Sequence, residues 1–87
     1  MKYGQLTAAQ IRAARALIRW RAEDLAEKSS VGVATIRRAE LSENETSLTA
    51  VNDAAIRRTL EEAGIEFIDE NGGGPGVRLR KRQQKKR

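Results

Sequence analysis

The chain has 87 residues, with 17 Lys and Arg against 12 Asp and Glu and a formal net charge of +5. Cys and His are both missing from the sequence, which excludes disulfides, thiol nucleophiles, zinc sites built on those ligands and the commonest general base. A chain this short supports one small domain with a modest core, too small to enclose a deep active site.

Thr7-Ala8-Ala9-Gln10 has the form of a capping box, so a first helix is expected from Ala8 to about residue 19. Ile11, Ala14 and Ile18 recur along it at helical spacing, and Arg12, Arg15 and Arg19 line a second stripe. A second helix is expected over about residues 22–28, with Glu23 and Asp24 near its positive N-terminal end. The short connection Ser29-Ser30-Val31-Gly32 leads to a third helix over 33–40, with Gly32 as an acceptable N-cap. Two short helices joined by so tight a turn read as a helix-turn-helix. Residues 41–47 are polar and loop-like, and a longer helix is expected over about 48–63, burying Leu48, Val51, Ala55, Ile56, Leu60 and Ala63. Gly64 then stands where a left-handed C-terminal cap belongs.

Beyond Gly64 the period falls to two. Ile65 and Phe67 alternate with Glu66, and Val77 and Leu79 with Arg78 and Arg80. With the turn-rich stretch 69–76 between them, these segments predict a hairpin of strands 65–68 and 77–80. A lone hairpin is marginal in water, so it must pack on the helices or pair with another chain. Its exposed edges and period-two pattern make Ile65, Phe67, Val77 and Leu79 the candidate dimerisation residues. The resulting organisation is a helical bundle over 1–64, a hairpin extension over 65–80 and a disordered basic tail over 81–87.

The charge is divided along the chain. Residues 1–42 carry eight basic and four acidic side chains, net +4; residues 43–77 carry two and eight, net −6; residues 78–87 carry seven and none, net +7. A basic front and tail suggest a polyanionic partner, with nucleic acid the first candidate. No apolar run is long enough for a membrane span and the opening MKYGQLTAAQ has no signal-peptide core, so a cytoplasmic location is expected.

The segments WRAEDLAEK (20–28) and VGVATIRRAE (31–40) resemble the helix-turn-helix of the Xre/Cro-CI family, the lambda-repressor-like bacterial and phage regulators. The ending GIEFI (64–68) and NGGGPGVRLR (71–80) is similar to a short single-domain branch of that family, and the likeness covers about residues 6–80. It implies a mainly α fold: a four- to five-helix lambda-repressor-like bundle with a C-terminal two-stranded hairpin. By that resemblance the third helix enters the major groove of double-stranded DNA. Ile36 and Ala39, with Val31, supply its inward side and leave Val33, Ala34, Thr35, Arg37 and Arg38 as candidate base contacts. Arg37 or Arg38 suits a bidentate contact to guanine, Val33 or Ala34 a thymine methyl, and Thr35 a base or phosphate. The candidate phosphate contacts are Arg12, Arg19, Arg21, Arg78, Arg80, Lys81 and Arg82. The resemblance further implies an ion pair between Arg15 and Glu40 that orients the third helix, and Trp20 is expected to wedge between the first two helices.

Three departures from the family pattern stand out. Arg21 and Ala22 replace the usual Ser-Gln that caps the second helix and supplies an amide to DNA. Ser30 replaces the turn glycine and is expected in a left-handed conformation. Glu43-Asn44-Glu45 follow the third helix where relatives commonly place phosphate-binding residues, and would repel the DNA backbone.

Other signals carry no chemistry. Asn44-Glu45-Thr46 matches a glycosylation sequon without secretory context, the glycines at 72–76 lack the Gly-Lys-Ser/Thr of a phosphate loop, and the adjacent Glu61 and Glu62 point different ways on a helix. The expectation is a regulator rather than an enzyme: a homodimer repressing its own or a neighbouring operon, with no cofactor and no membrane role. The alternative is an antitoxin or antiactivator acting through a protein partner that meets the acidic middle of the chain, and a third reading is RNA binding by the tail.

Overall fold

Residues 5–43 and 45–80 are described by the computed structural model. Asn44 of the sequon, and the tail 81–87 with Lys81 and Arg82, lie outside the described residues. Within the described residues the chain forms four helices, α1 Ala8–Ile18, α2 Ala22–Ser29, α3 Val33–Glu40 and α4 Ala50–Glu62, followed by β1 Ile65–Ile68 and β2 Gly76–Leu79.

The first helix starts as a reciprocal cap. Thr7 Oγ1 accepts from the Gln10 backbone N–H at 3.1 Å, and Gln10 Oε1 accepts from the Thr7 N–H at 2.9 Å. It stops because Arg19 turns left-handed, at φ 61°, and its N–H bonds back to Ala16 O. The start of α2 lacks the hydroxyl acceptor of a serine cap but keeps the reciprocal half of a capping box. Asp24 Oδ2 accepts from the Arg21 N–H at 2.8 Å, so one of the orphan donors at this helix start is satisfied from inside the helix. Ser30 ends α2 at φ 62°, the left-handed conformation expected there, with its N–H on Ala26 O.

The fourth helix begins two residues later than the apolar pattern predicts. Thr49 Oγ1 accepts from the Asn52 N–H at 3.1 Å and caps it. Leu48 is still buried, in the loop before the helix, where Gln5 Nε2 donates to the Leu48 and Thr46 carbonyls. Val51 is corrected: it is 77% exposed, on the outward side with Ala54, Arg58 and Glu62 at helical spacing. The buried stripe instead runs through Ile56, Arg57, Thr59 and Leu60. Gly64 follows at φ 107°, a backbone geometry that a residue with a Cβ rarely adopts.

The hairpin is antiparallel, pairing Ile65 with Leu79, Glu66 with Arg78, Phe67 with Val77 and Ile68 with Gly76. Its second strand therefore starts and ends one residue earlier than expected. β1 packs on α4 and β2 on α1. At the loop end, Gln10 Nε2 donates to Gly76 O at 3.0 Å and Ile68 O at 3.3 Å, which clasps both strands to the start of α1.

One core joins the four helices and β1, through Leu6, Ile11, Ala14, Leu25, Ile36, Ile56, Leu60 and Ile65, and Val77 of β2 packs against it. This corrects the dimerisation assignment. Ile65 is wholly buried, and Phe67 and Val77 are half-buried against the same core, so the apolar side of the hairpin is spent on its own helices. Burying an Ile side chain stabilises by about 1.5–3 kcal/mol, and Ile65 already has that burial within its own chain. Leu79, the cross-strand partner of Ile65, shares that inner face at the hairpin's open end and is the least covered of the four, at 50% exposed. Among the described residues no helix is long and apolar enough to cross a membrane.

Candidate nucleic-acid interface

The third helix is fixed from behind. Ile36 and Ala39 are buried in the core, and Glu40 is buried at the last turn. Arg15 on α1 grips the Glu40 carboxylate with both arms: Nε to Oε2 at 2.7 Å and Nη2 to Oε1 at 2.7 Å. Its remaining arm, Nη1, donates to Trp20 O at 2.8 Å. The hydrogen bonds from Arg15 to Glu40 outweigh the desolvation of the guanidinium and raise its pKa further above the ordinary arginine value. One turn earlier on α1, Arg12 Nη1 donates to the Glu40 backbone carbonyl. Two α1 arginines therefore hold the C-terminal end of α3, where orphan carbonyls carry negative partial charge.

The opposite side of α3 presents Ala34, Arg37 and Arg38 to solvent, with Thr35 half-buried beside them. Val33 departs from the expected outward row: it is half-buried and packs against the core. The two arginines differ. Arg37 forms an ion pair with Glu23 near the start of α2. Arg38 has no side-chain hydrogen bond or ion pair among the described residues, although its backbone carbonyl accepts from Leu41 and Ser42.

The seven residues assigned to phosphates divide in a similar way. Arg12 is taken by the end of α3, as above. Arg78 lies opposite Glu66 across the hairpin and makes two bonds to its carboxylate, at 3.0 and 3.2 Å. Arg80 Nη2 donates to Glu61 O at 2.7 Å, at the end of α4. These three are engaged within the chain because each sits opposite a carboxylate or the carbonyl end of a helix. Arg19 and Arg21 flank the α1–α2 turn in exposed positions, with Arg21 loosely paired to Asp24 at 3.6 Å. Lys81 and Arg82 lie outside the described residues.

Two carboxylates at the start of α2 are held towards the ionised form. Glu23 is held below the usual carboxylate range first by its own backbone N–H and then by the Arg37 guanidinium, and Asp24 by the Arg21 N–H. Beyond α3, Leu41 is 81% exposed and Glu43 and Glu45 face solvent. A bridge between Thr7 and Glu45 brings this turn against the start of α1, leaving an open groove of about 860 Å³ between them. Trp20 is half-buried against the core, and Lys28 Nζ lies 5.7 Å from its ring centre.

Three polar residues of structural weight escaped the sequence reading. Arg57 is buried on α4, 5.2 Å over the Phe67 ring, with Glu61 and Asp69 carboxylates at 3.9 Å. Its position between Ile56 and Leu60 and four residues before Glu61 was the available signal. Asp53 Oδ1 accepts from the Leu6 N–H at 3.1 Å, and burial pushes its carboxyl above the ordinary range. Gln10 supplies the hairpin clasp, which its capping role alone did not announce.

No family model and no curated protein matches the chain.

Proposed function

We propose that this protein is a lambda-repressor-like, sequence-specific DNA-binding regulator that reads the major groove with α3. The observation that carries the reading is the exposed row Ala34, Arg37 and Arg38 on a helix whose other side is locked by Ile36, Ala39 and the Arg15–Glu40 pair. Base readout needs side chains at repeatable positions, and a helix clamped at its inner face supplies them. Arg38 and Arg37 donate to guanine O6 and N7, Ala34 meets a thymine methyl, and Thr35 takes a neighbouring base or phosphate. Arg19, Arg21, Lys81 and Arg82 neutralise phosphates. The protein works without a cofactor in the cytoplasm, at the nucleoid, as a homodimer on two half-sites, repressing its own or a neighbouring operon.

A second reading, an antitoxin or antiactivator acting through a protein partner, is favoured by one feature. Exposed Leu41 with Glu43 and Glu45 combines an apolar anchor with charges that repel phosphate and attract a basic protein.

Selection from a pool of randomised duplexes separates the two. The DNA-binding reading expects one enriched motif with half-sites spaced by about one helical turn, 10–10.5 base pairs. A pool that stays random, together with a stoichiometric protein retained on the purified chain, favours the second reading.

A further inference from the structure

Glu23 and Arg37 belong to the two halves of the helix-turn-helix: Glu23 is the second residue of α2 and Arg37 the fifth of α3. One Nη of Arg37 donates to Glu23 Oε2. The side chains are 55% and 50% exposed, so water solvates both charges and the pair adds little to stability. Its effect is on geometry. A free arginine samples many rotamers and must give them up to bind, whereas an ion pair at one corner biases the guanidinium towards the rotamers that reach Glu23. The planar fork has five N–H donors, and Glu23 takes one of them. Enough remain on the other edges for two parallel bonds to a planar acceptor pair. Arg38, the next residue on the same helix, has no such tether among the described residues.

We infer that Glu23 is a positioning residue for base readout, holding Arg37 so that it reads a guanine through O6 and N7 at one fixed base pair. The inference rests on the DNA-binding reading above. It assigns the two adjacent arginines different parts: Arg37 is preset for one base pair, and Arg38 adapts to its neighbour. The Glu23 carboxylate also repels phosphate. It therefore weakens contacts to arbitrary sequence, where no guanine rewards Arg37, and sharpens discrimination at the expense of raw affinity.

The test compares wild type, E23Q, E23A, R37A and R38A by selection from randomised duplexes and by binding to the selected and a scrambled duplex. Thermal melts run alongside. The inference expects E23Q and E23A to melt no more than about 5 °C below wild type, the loss of one charge at a helix N-terminus, to lose about tenfold preference at one base pair and to bind scrambled DNA more tightly. R37A should lose preference at that same base pair, and R38A at a different one. A motif whose base preferences survive both E23Q and E23A overturns the inference while leaving the DNA-binding reading intact. So does an E23Q whose only change is a lower melting temperature. A wild type with no preferred sequence overturns both.

Discussion

Glu40, the last residue of α3, receives both arms of Arg15 on its carboxylate and one arm of Arg12 on its backbone carbonyl. The Glu40 side chain is 9% exposed, so the pair is largely removed from water. Removing one member strands the other charge, which costs about 3–5 kcal/mol. E40A and R15A should each lose that much in urea unfolding. Replacing both by Leu and Met should cost less than the two single losses combined. Single variants that lose less than about 1 kcal/mol, the range of exposed surface pairs, would show that α3 is held by its apolar face alone.

Ser30 is exposed and left-handed at φ 62°. A Cβ in that conformation costs about 1–2 kcal/mol, part of which glycine returns as unfolded-state entropy. S30G should therefore raise stability by roughly 0.5–1 kcal/mol, read as a higher urea midpoint at unchanged m-value. A lower midpoint would mean that the serine stabilises the turn in some way beyond its backbone shape.

Asp53 gives a pH signature. Burial raises its carboxyl above the ordinary range, more than the Leu6 N–H and the nearby Arg57 lower it. The fold thus favours the protonated acid. Stability from this group is greatest at low pH, falls as pH rises through the ordinary carboxylate range to the raised folded value, and is flat above it. D53N keeps an acceptor for the Leu6 N–H and carries no charge. It should melt higher than wild type at pH 7 and level with it near pH 3, whereas a D53N that melts lower at pH 7 would mean the charge is stabilising.

The proposed homodimer has little apolar hairpin surface left to use, because Ile65, Phe67 and Val77 pack inward. Leu79, half exposed on β2, is the remaining anchor beside the strand edges. L79K should leave the melting temperature near wild type and shift the mass by light scattering from dimer towards monomer. A wild-type chain that is strictly monomeric at high micromolar concentration would contradict the homodimer.

Local features were legible from the residues and distant ones were not. The Thr7–Gln10 cap, the tight α2–α3 turn, the bounds of α3 and the cap glycine at 64 all follow from residues a few positions apart, whereas the left-handed Ser30 was expected from the family resemblance. Arg12, Arg78 and Arg80 looked like phosphate ligands because a formal charge does not say where its partner lies. Their acceptors, Glu40 O, Glu66 and Glu61 O, are 12 to 28 positions away. Apolar spacing from Leu48 points Val51 inward, but Thr49 caps the helix after Leu48 and so resets the phase. The Arg15–Glu40 pair was expected from family resemblance alone, since nothing in the spacing of residues 25 apart announces it.

Readout of DNA bases by α3 is the central claim, and fluorescence anisotropy tests it most directly. Wild type and R38A are compared on duplex from the protein's own upstream region and on a scrambled duplex, across a range of salt. The account predicts tighter binding to the native duplex, lost in R38A by about 1–3 kcal/mol, with the salt slope at the scrambled duplex reduced by no more than about one phosphate contact. Equal, weak and steeply salt-dependent binding to both duplexes, unchanged by R38A except in slope, would contradict it and leave only the attraction of a cationic chain for a polyanion.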